Sequence, residues 1–242
     1  PQAKFPYEQL LSTNSERART EREYELTDTG VFDEDRYFDV FIEYAKAAPE
    51  DILIKVTVVN RGPEVASLDL LPTLWFRNTW SWGETHESDI PRPRISKADE
   101  DTLLAEHATV GQFRFAADVD PAGSKPDWLF TENETNNWRR EDSDSHRPSC
   151  KDAFHLYVVD GLTGAVNVKP TGTKAAAHYE LQIEAGGEVT LRFRLSSEQD
   201  SPTEFFGASF DDVFARRLAE ADSFYEENSA AGLNEDEKRV LR

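Results

Sequence analysis

Apolar residues return at every second position in four separate stretches of this chain, and that rhythm restricts the chain to β-structure. In RYFDVFIEYAK (36–46), Phe38, Val40, Ile42 and Tyr44 share one face, while Asp39, Glu43 and Lys46 break up the other positions. In ILIKVTVVN (52–60), Ile52, Ile54, Val56 and Val58 alternate with Lys55 and Thr57. Tyr179, Leu181 and Ile183 repeat the pattern in AAAHYELQIEA (175–185), as do Val189, Leu191, Phe193 and Leu195 in EVTLRFRLSS (188–197). Successive side chains on a strand point to opposite faces, so each stretch offers one apolar face that must be covered. Two layers of such strands cover each other. The expected class is therefore all-β, a large antiparallel β-sandwich.

The connections between these stretches are less regular. Asn60-Arg61-Gly62-Pro63 reads as a turn, and SLDLLPTLWFRN (67–78) as a returning strand, so the runs from Arg36 to Asn78 predict an antiparallel meander. Glu23–Leu26 is strand-like, and DTGVFDED (28–35) is a turn-rich connection. Residues 84–101 and 119–150 are polar, acidic and dotted with proline, with short strands expected at LLAEH (103–107) and QFRFAAD (112–118). Gly186-Gly187 predicts a hairpin-like turn between the two later strands. KDAFHLYVVDG (151–161) fits a short helix or a strand equally.

Beyond the strands, Phe210, Val213, Phe214, Leu218, Ala221 and Phe224 recur at helical spacing, and Asp211 and Asp212 favour the helix N-terminus. In LNEDEKRVLR, Asn234 has the character of a helix N-cap, with Glu237 at capping-box distance. A helix that begins there runs about two turns before the last residue, and a chain with no methionine fits a segment of a longer protein. The expected organisation is a sandwich over 1–204, followed over 205–242 by a linker helix and the start of a further helical domain.

Composition narrows the partners. A formal net charge of -20 repels phosphate, so nucleic acid and anionic membrane surfaces are excluded as partners. No apolar run is long enough to span a bilayer. Cys150 is the single cysteine and has no partner within the chain, which fits a reducing compartment and a cytoplasmic location. GxGxxG, P-loop and G-x-S-x-G patterns are absent, and the five histidines form no HxxxH or HxH pair. No cofactor and no metal are expected.

The strings TGVFDEDRYFDVFIEYAKAAPEDILIKVTVVNRG, LLPTLWFRNTWSWG, LFTENETNN, KDAFHLYVV and TGTKAAAHY together resemble bacterial members of the glycoside hydrolase family 63-like group. These are relatives of processing α-glucosidase and mannosylglycerate hydrolase. The matching blocks keep their order from about residue 23 to the end. The resemblance implies a galactose-mutarotase-like supersandwich that precedes an (α/α)6 barrel, with both catalytic carboxylates of an inverting glycosidase on the barrel. It also implies an α-linked gluco- or mannosyl substrate for the parent, and no catalytic residue in this segment. The expected partners are that barrel, in the same parent chain, and carbohydrate. A homodimer of the isolated segment is a further possibility.

Two segments carry the candidate site. TLWFRNTWSWG (73–83) concentrates Trp75, Trp80 and Trp82 beside Arg77. With Leu74 and Phe76 turned to the core, Trp75 and Arg77 face the other way. Two readings stand: the indoles pack between the sandwich and its barrel, the favoured one, or they stack on sugar rings while Arg77, Asn78 and Ser81 donate hydrogen bonds. LFTENETNNW (129–138) places Glu132 and Glu134 on one face, with Asn133 and Asn136 beside them. An inverting glycosidase needs an acid and a base on opposite faces of the sugar, roughly 6.5–9.5 Å apart, which i and i+2 neighbours on one strand do not supply. A hydrogen-bonded loop is the expected role. An independent carbohydrate-binding module, or a mutarotase-like epimerase using His155 or His178 with Glu180, is the alternative.

Overall fold

The computed structural model describes residues 1–81, 91–136, 149–230 and 232–241. The alternating stretches form strands β1 (Phe38–Ala48), β2 (Asp51–Asn60), β10 (Lys174–Ile183) and β11 (Glu188–Ser197). Between them lie β3 (Ala66–Leu70), β4 (Thr73–Trp75), β5 (Arg94–Lys97), β6 (Thr102–His107), β7 (Gly111–Ala117), β8 (Asp127–Thr131) and β9 (Thr171–Gly172). The helices are α1 (Tyr7–Glu16), α2 (Ala153–Val158), α3 (Ser209–Asn228) and α4 (Glu235–Leu241).

Two antiparallel layers make the expected β-sandwich. The larger sheet has the order β1-β2-β11-β7-β6-β5-β9. In the smaller one, β10 runs between β8 on one side and β3 and β4 on the other. β3 and β4 are one edge strand interrupted at Leu71-Pro72: Leu70 pairs with Tyr179, and Thr73 with Ala176, in unbroken register. Pro72 lacks an N–H, which an edge position tolerates, while its carbonyl still accepts from Ala177 N.

Several sequence expectations are corrected here. The meander breaks after β2, because β3 leaves for the smaller sheet and β2 takes β11 as its second neighbour. Gly186-Gly187 does not close a hairpin; β10 and β11 lie in different sheets, so the turn arches from one layer to the other. Residues Glu23–Leu26 form no strand, and a 3-10 turn occupies Leu26–Thr29. The polar middle holds β5 and β8 as well as β6 and β7, and KDAFHLYVVDG carries the helix α2. Cys150 is buried despite its polar sequence surroundings.

Interleaved large and small side chains fill the space between the sheets. Phe115 and Phe193 stack at 5.9 Å between centroids and meet the fully buried Ala175 and Ala177 of β10. Each buried phenylalanine stabilises the fold by roughly 1.5–3 kcal/mol. Tyr179 Oη donates to the Asp118 carbonyl at 2.6 Å, which satisfies the one polar atom of its ring. The opposite face of β1 and β2 packs Ala45 and Leu53 against Phe210 and Val213 of α3. Arg194 grips Asp51 through Nε at 2.8 Å and Nη2 at 2.6 Å and donates to the Phe205 carbonyl, fixing the approach to that helix. At α4, Asn234 Oδ1 accepts from the amides of Asp236 and Glu237, and Glu237 Oε2 accepts from Asn234 N, completing the expected capping box.

Coverage of the larger sheet is incomplete. Val40, Ile42 and Tyr44 share the inner face with Val56 and Phe193, yet they are 46%, 55% and 68% exposed. They line an apolar groove with Leu70, Leu71 and Pro72 of the facing layer. The smaller sheet is too narrow to reach over β1.

Candidate functional site

The outer face of the smaller sheet is where the two candidate segments meet. On β4, Leu74 packs inward against the core and Trp75 points outward, 56% exposed. Phe76 also packs inward, while its carbonyl accepts from Asn133 Nδ2 at 2.8 Å. Asn78 Nδ2 in turn donates to the Asn133 carbonyl, and Asn133 N donates to Thr173 Oγ1. The segment following β8 is thus laced to the segment following β4 across the end of β10.

Arg92 tightens the junction. Its Nη2 donates to Glu132 Oε2 and to Glu134 Oε1, both at 2.6 Å. Trp80 Nε1 donates to the same Glu134 oxygen at 3.0 Å, and the Arg92 guanidinium lies 5.2 Å from the centre of the Trp80 ring. Glu132 also accepts from Thr173 Oγ1 and Asn167 Nδ2. Two carboxylates tied to one guanidinium nitrogen stand on one side of any bound molecule, so they do not provide the opposed acid and base of inversion. They clip the two segments together.

The clip supports a cleft of about 750 Å³, whose walls include Trp75, Asn78, Asn133, Asp152, Lys151 and Lys174. That volume lies within the range of small-molecule sites, and one exposed indole with several hydrogen-bonding side chains is their usual lining. Asn136 Nδ2 bonds the Asp152 carboxylate at 3.1 and 3.3 Å, fixing the start of α2. Lys174 Nζ donates to the Lys151 carbonyl at 2.7 Å and lies 4.6 Å from the centre of the Phe154 ring. Burial, and then the charge of Lys151, hold the Lys174 pKa below the ordinary lysine value; Asp152 opposes this. Among the described residues Asp152 is the one carboxylate lining the cleft.

Of the residues singled out in the sequence, Trp75 and Asn133 line the cleft, whereas Trp80, Glu132, Glu134 and Asn136 hold its walls. Arg77 is exposed and makes a contact of its own. Trp82 lies outside the described residues. The cleft residues Lys151, Asp152 and Lys174, and the clip residue Arg92, carry no signal in the local pattern, because what joins them is spatial. His155 is exposed on α2. His178 lies four residues along β10 from Lys174, roughly 13 Å away at strand spacing. Its side chain is only 4% exposed, so a mutarotase-like pair does not face the cleft.

No family model matches the chain. The uncharacterized protein YMR196W of Saccharomyces cerevisiae is 31% identical over 258 residues, a match that covers 91% of this chain and 23% of the yeast protein. The chain thus spans about a quarter of the length of that relative. Among solved structures, a polysaccharide lyase (BACCELL_00875) matches with a TM-score of 0.37 and 13% identity, over 76% of this chain and 22% of that one. These findings do not show the kinship with glycoside hydrolase family 63. No helix among the described residues is long and apolar enough to cross a membrane.

Proposed function

We propose that this chain is the non-catalytic β-sandwich domain of a glycosidase of the glycoside hydrolase family 63 kind, acting on α-linked gluco- or mannosyl substrates. In this reading it braces an (α/α)6 catalytic barrel through its apolar groove and lends the Trp75 cleft to the sugar. One observation carries the sugar-binding part: the exposed indole of Trp75 forms a cleft wall beside Asn78, Asn133 and Asp152. Sugar rings offer a C–H face to an aromatic plane and hydroxyls to amides and carboxylates, and this wall supplies both. Val40, Ile42 and Tyr44 support the bracing role, since a contiguous exposed apolar face marks an interaction surface.

Tryptophan fluorescence of the chain, titrated with maltose, nigerose, mannose and glucosylglycerate and repeated with the separately expressed barrel, tests the proposal. A saturable shift with barrel and sugar together, reduced about tenfold in affinity by Trp75→Ala, is the expected result. Saturable binding of sugar by the chain alone would make it an independent carbohydrate-binding module. Turnover of a sugar by the chain alone would contradict the non-catalytic reading.

A further inference from the structure

We infer that Asp69, His178 and Glu180 form a binding site for a divalent transition-metal cation of the zinc type, apart from the cleft on the same outer face. Asp69 and Glu180 are directly opposed across β3 and β10. Like charges in that position destabilise a sheet unless something neutralises them. Elsewhere the fold obeys this rule: Lys55 and Arg192 also oppose each other, but Lys55 has Glu43 at 3.4 Å and Arg192 has Asp118 at 2.6 Å. Among the described residues neither Asp69 nor Glu180 has a lysine or arginine partner. The side chain in contact with Asp69 is His178, whose Nε2 lies 2.7 Å from Asp69 Oδ1.

A plain histidine–aspartate hydrogen bond satisfies one oxygen and leaves Glu180 opposing Asp69. A cation between the strands resolves both. One ligand atom from each of the three residues lies within 4.8 Å of the other two. Bonds of about 2.0–2.2 Å to zinc need a small inward rotation of the carboxylates, which two exposed side chains on a strand surface can make. The imidazole is already fixed, buried and edge-on to the Tyr157 ring at 6.1 Å. One nitrogen and two carboxylate oxygens favour a zinc-type ion over calcium or magnesium, which take oxygen donors. Solvent reaches the carboxylate side and completes the coordination. Pair searches along one strand miss this site, because Asp69 comes from the neighbouring strand.

Isothermal titration of the 242-residue chain with zinc chloride in a non-chelating buffer at neutral pH tests the site. The expected result is one equivalent bound, with affinity reduced at least about tenfold in Glu180→Gln and in Asp69→Asn, as loss of a ligand should cost no less than loss of its supporting shell. His178→Ala should abolish binding; because that residue is buried, the two exposed variants carry the test, with circular dichroism confirming that each is folded. Absence of binding, unchanged affinity in both exposed variants, or displacement of zinc by equimolar calcium or magnesium would overturn the assignment.

Discussion

The two open faces of this sandwich are built from opposite materials. The outer face of the smaller sheet is polar and cross-linked: Arg92 ties Glu132 to Glu134, Asn133 spans two strands, and Trp75 stands clear above them. The inner face of β1 is apolar and bare, with Val40, Ile42 and Tyr44 in a row; among the described residues lining its groove only Thr73 and the Tyr44 hydroxyl offer polar side-chain atoms. A surface that binds a small polar molecule has to fix a few directional groups, and their own partners do that fixing. A surface that docks another protein layer mainly needs area to remove from water. The contrast is what the proposed function rests on, with sugar on one face and the barrel on the other.

Breaking the support of the polar face should produce the largest effect. Gly172 passes so close to Thr131 that an added Cβ would overlap its carbonyl oxygen. Gly172→Ala should therefore cost about 2–3 kcal/mol in urea unfolding and weaken sugar binding at the same time. Next comes Arg92→Ala, which leaves Glu132 and Glu134 facing each other without their shared cation. As Arg92 is about half exposed, the expected loss is roughly 1–2 kcal/mol, with a change in Trp80 fluorescence.

Removing the working surfaces themselves should spare the fold. Trp75→Ala is expected to lower sugar affinity about tenfold while changing stability by less than about 0.5 kcal/mol, read by titration and by melting. Ile42→Thr with Tyr44→Ser should leave the Trp75 cleft folded but abolish association with the barrel, or any self-association of the isolated chain, in sedimentation, and with it the sugar response that needs the barrel. Loss of the barrel in Trp75→Ala, with the complex intact but sugar binding weakened in the β1 variant, would exchange the two assignments.

The smallest effect concerns pH. Lys174 has a lowered pKa in the folded chain, so between that value and the ordinary 10.5 the unfolded chain binds more protons than the folded one. Stability contributed by this group therefore rises with pH through that window, because deprotonation relieves the desolvated charge. Lys174→Met should flatten that rise in melting temperature.

Much of this architecture is legible in the residues themselves. Alternation in 36–60 and 175–197 marks β1, β2, β10 and β11, and helical spacing from Phe210 marks α3. Strand pairing is another matter. A period of two says which face is buried but not which neighbour lies alongside, so the Gly186-Gly187 turn reads equally as a hairpin or an arch between layers. β8 hides because Leu129, Phe130 and Thr131 are all buried, Leu129 under α2 and Phe130 in the main core, which erases alternation. For the cleft, Leu74–Trp75–Phe76 shows its inward and outward faces in three letters, whereas Arg92, Lys151, Asp152 and Lys174 meet only through the fold.

The division of labour between the two faces is tested most directly by one titration series. Wild type, Trp75→Ala and the Ile42→Thr/Tyr44→Ser double variant would each be titrated with maltose and nigerose in the presence of the barrel, with complex formation followed in parallel. The account predicts that Trp75→Ala forms the complex but binds sugar about tenfold more weakly, while the β1 variant fails to form it. Equal sugar affinity in wild type and Trp75→Ala, with the complex intact in both, would contradict it.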